Sequence, residues 1–529
     1  MSQGDQTEVV EFLCSQVSTV DGRAYAGRTY AGRTYAGRTE DRMVETHISI
    51  IVMRGPLVWK LKRAIRLPYL DFSTPALRAA ACEQEVALNR RTAPAIYLGV
   101  RRITRAANGK LEFDGKGELV DAVVEMQRFD DSTLFSQLAQ DGALERDMLT
   151  TLARHIAGFH AQANVHVIAS GSAAIEAVLS LNEQNQDMAP VLGAHVVQQL
   201  RAALRTALHQ HRTLLDQRAA TGRVRRCHGD LHLRNICLFE GRPTLFDCIE
   251  FNDSIAVIDV LYDLAFLLMD LWQVGLKAEA NWVMNRYMDE ADEAGGLPLL
   301  PFFMALRASI RAQVLATQAA LPQVPQREEV VAQAKAYMAL AMQLLQPLHI
   351  SMVAIGGLSG SGKSTVAAAI AHCVGTAPGA RILATDRVRK YMAGVSPETR
   401  LPSSSYTKES SAQVYAALYE QAEQILAGGY SVIADGVFSR QEERARIKQC
   451  AVRAGVPFRG IWLEAKPDTL IARVEARTGD PSDAGKVAVL AQLQRQAALV
   501  EWETIPAGGT SQATAQNVLA RLGAAPSLT

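Results

Sequence analysis

The run His228-Gly229-Asp230-Leu231-His232-Leu233-Arg234-Asn235, followed by Leu245-Phe246-Asp247, places an Asp, an Asn and a second Asp in an order that suits phosphoryl transfer. That chemistry asks little covalent work of a protein. It needs a carboxylate to orient the attacking hydroxyl and a few oxygen ligands for the Mg²⁺ that holds the phosphates. Asp230 fits the first role, as acceptor of the hydroxyl proton. Asn235 and Asp247 fit the second, because magnesium takes few protein oxygens and keeps several waters. A chance turn or a helix-capping Asp accounts for any one of these residues. It does not account for all three in order, with a β-prone run from Pro243 to Phe246 feeding the last.

A second constellation lies downstream. Ser351 to Ile355 reads as a buried strand, and Gly357-Leu358-Ser359-Gly360-Ser361-Gly362-Lys363-Ser364-Thr365 then leads into a helical pattern. Gly357 through Ser364 matches G-x-x-x-x-G-K-[ST] in the strand–loop–helix context that gives this pattern its meaning. Backbone N–H groups of such a loop and the positive end of the helix cradle phosphates. Lys363 is placed to reach the β and γ phosphates and Ser364 to bind Mg²⁺.

Other elements must position these groups. Thr46–Val52 and Leu57–Leu61 read as antiparallel strands joined at Gly55-Pro56, and Lys60 and Lys62 share one face of the second strand. A helical pattern after Pro75 brings Glu83 and Glu85 into play. A strand Lys paired with a helix Glu is how kinase-like folds hold the α and β phosphates. Lys60 with Glu85 is the preferred pair, with Lys62 or Glu83 as the alternatives. In the downstream segment, strands at 381–385, 430–434 and 458–464 alternate with helices, which predicts a parallel α/β layer structure with ligands at the carboxyl ends of the strands. Asp386 and Asp435 each follow or end such a strand. Asp435 is placed to hold magnesium through water. Arg473 and Arg477, four apart, fall on one helix face before a Gly/Pro/Ser segment that reads as a lid, and guanidinium forks there match phosphate oxygens.

The loop around Asp230 resembles the H-G-D-x-x-x-x-N catalytic loop of the aminoglycoside phosphotransferase family, and the resemblance runs from about Glu45 to about Gln346. It implies an α+β, two-lobed kinase-like domain, with Glu125 and Met126 at the hinge that meets adenine. No G-x-G-x-x-G precedes the lysine strand, which is a departure from protein kinases more than from this family. Asp386 with Arg389 resembles the D-x-x-R of small-molecule and polynucleotide P-loop kinases, and implies an acceptor base and an acceptor anchor. Together the halves resemble bacterial fusions of the two modules. The expected division is an N-terminal segment 1–44, an N-lobe 45–127, a helical C-lobe 128–346 and a P-loop α/β domain 347–529.

The totals agree with this. A chain of 529 residues exceeds one core, and a net charge of +1 offers no global field for nucleic acid or anionic membrane. Seven cysteines without a C-x-x-C pair suit a reduced, cytoplasmic chain. The most membrane-like run, Ile255 to Trp272, is broken by Asp259, Asp263 and Asp270 and reads as a buried helix. Asp259 and Asp263 are expected on one helix face, bracing the catalytic loop. Asp289, Glu290, Asp292 and Glu293 read as a solvated acidic patch or an attractor for a cationic substrate. Tyr-Ala-Gly-Arg-Thr, repeated at 25–39, is too short for a solenoid unit and receives no role.

The expectation is an ATP- and Mg²⁺-dependent phosphotransferase with two nucleotide sites acting on small-molecule hydroxyls. Two alternatives stand beside it: the P-loop half is the sole catalyst and the first half a ligand-binding regulator, or the P-loop half is a nucleotide-gated switch.

Overall fold

A computed structural model describes residues 6–16, 42–46, 48–67, 70–184, 187–321, 326–347, 349–476, 482–495 and 500–523. The pentapeptide repeats and Arg477 lie outside them. The chain forms two compact units, one of residues 1–155, 159–167 and 222–263, the other of 156–158, 168–221 and 264–529.

The first unit is built on a six-stranded antiparallel sheet: β1 (Arg42–Glu45), β2 (Ser49–Arg54), β3 (Leu57–Lys62), β4 (Tyr97–Arg105), β5 (Leu111–Phe113) and β6 (Glu118–Gln127), in the order β1-β2-β3-β6-β4-β5. β2 and β3 form a hairpin with Arg54 opposite Leu57, and the left-handed Gly55 (φ 51°) makes its two-residue turn. Strand alternation sorts β3. Trp59 and Leu61 join Val52, Ile103 and Val123 in a core covered by helix α1 (Thr7–Ser15), and Lys60 and Lys62 take the other face. Helix α2 (Pro75–Asn89) packs on that other face through Ala79, Cys82 and Val86. Its start is fixed by Thr74, whose side chain accepts from Leu77 N–H, and by Pro75 in the first turn.

The second unit joins helices, among them α3 (Ala194–Ala220), α4 (Lys277–Glu290), α5 (Leu300–Ala320) and α6 (Arg327–Leu344), to a parallel sheet. The sheet comprises β7 (Met352–Gly356), β8 (Arg381–Ala384), β9 (Val432–Asp435), β10 (Phe458–Glu464) and β11 (Glu503–Pro506), in the order β8-β9-β7-β10-β11. The fold class is therefore as expected, a kinase-like α+β region followed by a P-loop α/β domain. β11 goes unforeseen because only Ile505 in its four residues is buried, too little to form an alternating pattern. The stretch Ala294–Ala320 is long and apolar enough to cross a membrane by length and composition, and 78% of its apolar window is buried within the protein.

Two of the four acids in the run from Asp289 are shielded by arginines, while Glu290 and Asp292 are exposed. Asp289 lies against Arg286 (3.0 Å), Arg381 (2.8 Å) and Arg387 (3.0 Å), and Glu293 pairs with Arg218 (2.7 Å), with both of these side chains under a tenth exposed. Asn285 accepts from Ile382 N–H through Oδ1 (2.7 Å) and donates to Ala380 O (3.1 Å). Asn281 donates to Pro378 O (3.0 Å) and Ala380 O (3.1 Å). Side-chain amides of α4 thus complete the backbone bonding of the edge strand β8. Asp289→Ala would leave three clustered guanidinium groups without their shared counter-charge. We expect a loss of about 3–5 kcal/mol in equilibrium urea unfolding; a loss below about 1 kcal/mol would mean that water already screens the cluster.

Two candidate active sites

The first site grows from Glu85. It is fully buried on α2, and its carboxylate meets Lys60 at 2.9 Å and also contacts Lys62. Burial pushes the Glu85 carboxyl up, but the two lysines outweigh burial and bring it down to about 2. Lys60, raised well above its ordinary value by Asp247 and Glu85 against the opposing effect of burial, also touches Asp247. Lys62, with no exposure, touches Glu250. The sequence-preferred pair Lys60–Glu85 is thus in contact, and the alternative lysine occupies a deeper position on the same carboxylate.

Asp247 follows a two-stranded hairpin, Ile236–Phe239 with Arg242–Leu245, and has a left-handed backbone (φ 63°). For a residue with a Cβ such geometry costs ~1–3 kcal/mol and persists only where neighbours enforce it. They do so here: Asp247 N–H donates to Tyr97 Oη (3.1 Å), Cys248 N–H donates to Asn89 Oδ1 (2.8 Å), and Asn89 in turn donates to Glu85 O (3.0 Å). The Asp247 side chain stays 41% exposed, so a carboxylate oxygen faces outward.

Asp230 and Asn235 meet directly. The Asn235 amide donates to Asp230 Oδ2 (2.8 Å) and Asp230 O (3.0 Å), which leaves its carbonyl oxygen as the group able to ligate a cation. His232 Nε2 lies 3.3 Å from Asp230 Oδ2. The loop is held from behind by Asp263, which accepts from His228 N–H (3.0 Å) and Gly229 N–H (2.9 Å) and meets His160 Nε2 (3.1 Å). The expected bracing is carried by Asp263. Asp259 sits on a short strand before the helix Val260–Gln273 and caps Leu261 N–H (2.8 Å). At the expected hinge, Glu125 and Met126 pair with β3 on one side and β4 on the other. The Glu125 side chain accepts from Trp59 (3.1 Å) and Arg101 (3.2 Å). Sequence reasoning missed Tyr97, Asn89, Glu250, His160 and His232, since each acts through a contact distant in the chain, apart from His232 within the loop itself.

In the second site, Gly357–Ser364 links β7 to helix α7 (Lys363–Ile370). Gly357 (φ 141°) and Gly360 (φ 87°) admit no side chain, since a Cβ would lie 2.6 Å from Leu463 O and 2.4 Å from Leu470 O. Ser364 Oγ donates to Asp435 Oδ2 (2.6 Å), which pairs the two groups expected to share a magnesium ion. Lys363 Nζ rests on Leu358 O (3.1 Å). Ser361 is buried with its hydroxyl unpartnered among the described residues, and Gly362 (φ 89°) and Thr365 frame the start of α7. Ser359 is bound at both ends by a residue the sequence did not single out. Gln492 Oε1 accepts from Ser359 N–H (2.8 Å), and its amide donates to Ser359 Oγ (3.0 Å). Arg473 donates to Ala507 O and Gly509 O (2.8 Å each), holding the loop after β11. Asp386 and Arg389 lie one turn apart on α8 (Thr385–Met392), directly beyond β8.

Residues 42–292 match the model of the phosphotransferase enzyme family, and residues 352–501 match an AAA domain. An uncharacterized protein of Mycobacterium tuberculosis (strain ATCC 25618 / H37Rv) is 29% identical over 469 residues, 87% of this chain and 90% of that protein. The adenylyl-sulfate kinase of Myxococcus xanthus is 32% identical over 119 residues, 22% of this chain and 59% of that enzyme. Among solved structures, a gluconokinase from Sinorhizobium meliloti 1021 (22% identity, TM-score 0.24) covers 33% of this chain and 94% of its own. A choline/ethanolamine kinase family protein from Mesorhizobium loti (13% identity, TM-score 0.35) covers 59% and 90%.

Lys62 and Glu250 should behave as one unit. Lys62→Met alone strands a buried carboxylate and should cost about 3–5 kcal/mol. Adding Glu250→Gln should recover part of this, giving a coupling of roughly 1–3 kcal/mol in a four-member unfolding cycle. Strict additivity would show that the two side chains do not depend on each other.

Proposed function

We propose, from a chain that joins a phosphotransferase-family domain to an AAA domain of P-loop kinase type, that each half binds ATP with Mg²⁺ and transfers the γ-phosphate to a hydroxyl of a small molecule. We assign the kinase-like domain to 45–346, with lobes at 45–127 and 128–346, the P-loop domain to 347–529, and the protein to the cytoplasm. The observation that carries the reading is the geometry in each half: Lys60 in contact with Glu85 and Asp247, and Lys363 resting on Leu358 O in a glycine loop whose Ser364 donates to Asp435.

In the first half Asp230 takes the hydroxyl proton as the new O–P bond forms and ADP leaves. Asn235 and Asp247 offer oxygens for magnesium, and Lys60 holds the phosphates. Glu125 and Met126 border the adenine. In the second half the glycine loop from Gly357 to Thr365 holds the phosphates through the amides at the start of α7, Ser359 N–H being taken by Gln492; Ser364 and Asp435 serve magnesium, and Asp386 acts as acceptor base with Arg389 as anchor. Arg473 supports the glycine loop from behind through Gly360 O and the loop after β11, and Arg477 is assigned to the phosphate oxygens on its sequence position. Bound magnesium supplies charge neutralisation on the phosphates, while these side chains fix the angle of attack and the proton's destination.

One observation favours a second reading, in which the first half binds a ligand and regulates. The β2–β3 connection is a two-residue turn, too short to cover phosphates in the manner of a glycine-rich loop. A fully assembled Lys60–Glu85–Asp247 set supports catalysis instead.

ADP release measured against a metabolite library separates these readings. Asp230→Ala and Lys363→Ala should each remove a different acceptor-dependent activity by a hundredfold or more, roughly 2.7 kcal/mol of barrier. If Asp230→Ala changes nothing while Lys363→Ala abolishes all turnover, the first half is a binding module.

A further inference from the structure

We propose that Arg387, held by Asp289 of helix α4, is a positioning residue that aims Asp386 at the acceptor hydroxyl, so that a helix of the phosphotransferase-family segment forms part of the P-loop active site. The proposal rests on the reading of Gly357–Ser364 as the nucleotide loop and Asp386 as the acceptor base.

Helix α4 lies within residues 42–292, whereas β8 and α8 lie within residues 352–501, so the two family matches assign them to different halves. The fold does not separate them: all three belong to the second compact unit. Asn281, Asn285 and Asp289 recur every four residues and form one stripe along α4. Every member of that stripe bonds the P-loop half. The two buried amides take the backbone of Pro378, Ala380 and Ile382, and Arg381 returns two bonds to Asn285, at O (3.0 Å) and Oδ1 (3.2 Å). Trp282, beside the stripe, packs against the core cluster that contains Val353, Val366 and Ile382.

Asp289 ends the stripe against α8. Its side chain is 10% exposed and meets that of Arg387, 18% exposed, at 3.0 Å. Successive residues of a helix diverge by about 100°, so Arg387 projects about 100° from Asp386 on one side and Arg389 about 60° from it on the other. Asp386 is thus bracketed by two anchored guanidinium groups, one tied to α4 and one to Ser405 O (2.7 Å) and Ser410 Oγ (3.1 Å). Burial does not set the roll of this helix. Val388 is buried, yet Tyr391 and Met392, which flank it around the axis, are 70% and 49% exposed. The helix has only eight residues, so its polar ties fix the direction in which Asp386 points. A reacting group misplaced by about 1 Å can cost a hundredfold in rate. Arg387 carries no step itself: the γ-phosphoryl group passes to the hydroxyl, ADP leaves and the proton goes to Asp386.

The test measures ADP release from Mg²⁺–ATP by the full-length protein, taking the part lost in Lys363→Ala, with water and with the metabolite library as acceptors. Binding of a non-hydrolysable ATP analogue is titrated on the same samples. Arg387→Met should lower this kcat by about ten- to a hundredfold, with KM for ATP and the affinity and stoichiometry of the analogue unchanged. Arg387→Lys, which keeps a cation at Asp289, should recover most of the loss. Asp289→Asn should lower kcat to a similar extent and add nothing to Arg387→Met, since both break one contact. The Arg387 variants leave Asp289 with Arg286 and Arg381, so they carry the test even where Asp289→Asn does not fold. A wild-type kcat in Arg387→Met overturns the proposal. So does a matching fall in kcat and analogue stoichiometry, the mark of a merely structural role, or strict additivity of the two substitutions. Asp386→Asn separates the premise from the proposal: if it leaves the same activity intact, the acceptor-base reading falls. If no acceptor gives Lys363-dependent ADP release, or the analogue shows no Lys363-dependent binding, the transferase reading falls, and in either case the proposal falls with it.

Discussion

A single carboxylate with no exposure, Glu85, stands between Lys60 and Lys62, and the first site is arranged around that buried charge. Burying it unpaired would be prohibitive, so the two lysines are as much a requirement of its burial as a feature of the site. Each lysine then reaches the same short loop, Lys60 at Asp247 and Lys62 at Glu250. Asn89, one helical turn beyond Glu85, and Tyr97 take the backbone N–H groups of Cys248 and Asp247. The loop that offers oxygens for magnesium is therefore tied at four points to β3, α2 and β4. These ties hold Asp247 in its left-handed backbone and make the arrangement a property of the folded unit.

Packing constraints do comparable work in the second unit. Gly357 and Gly360 are demanded by carbonyls that leave no space for a Cβ, so the loop closes tightly over Leu463 and Leu470. Gln492 pins Ser359, and Arg473 ties the loop after β11 to Gly360 O (3.5 Å). On the sheet's edge, Asn281 and Asn285 of α4 take over backbone bonding that a neighbouring strand would otherwise supply, and Asp289 pairs with the Arg381 side chain. The strand so held leads directly to Asp386. Helix α4 is thus part of the structural support for the acceptor end of this site.

Much of this was legible in the sequence because it is local. The Asp230-x-x-x-x-Asn235 loop, the glycine loop, the β2–β3 hairpin and α2 all declare themselves through spacing, turn residues and alternation. Lys60 and Glu85 could be paired because strand alternation and helix order restrict the partners. What escaped depends on three-dimensional neighbours. Asp289 and Glu293 read as solvated acids since the arginines that cover them, Arg381, Arg387 and Arg218, lie far away in the chain. Asn89, Tyr97 and Gln492 carry no spacing signal. Lys62 was recognised only as an alternative, because sequence alone does not reveal that two lysines share one glutamate.

The central claim is that one chain holds two separate nucleotide sites. Calorimetric titration of the full-length protein with a non-hydrolysable ATP analogue and Mg²⁺ tests it directly. The account predicts two molecules bound per chain, one remaining in Lys60→Met, one in Lys363→Ala, and none in the double variant. A wild-type stoichiometry of one, abolished by Lys363→Ala and unaffected by Lys60→Met, would contradict it.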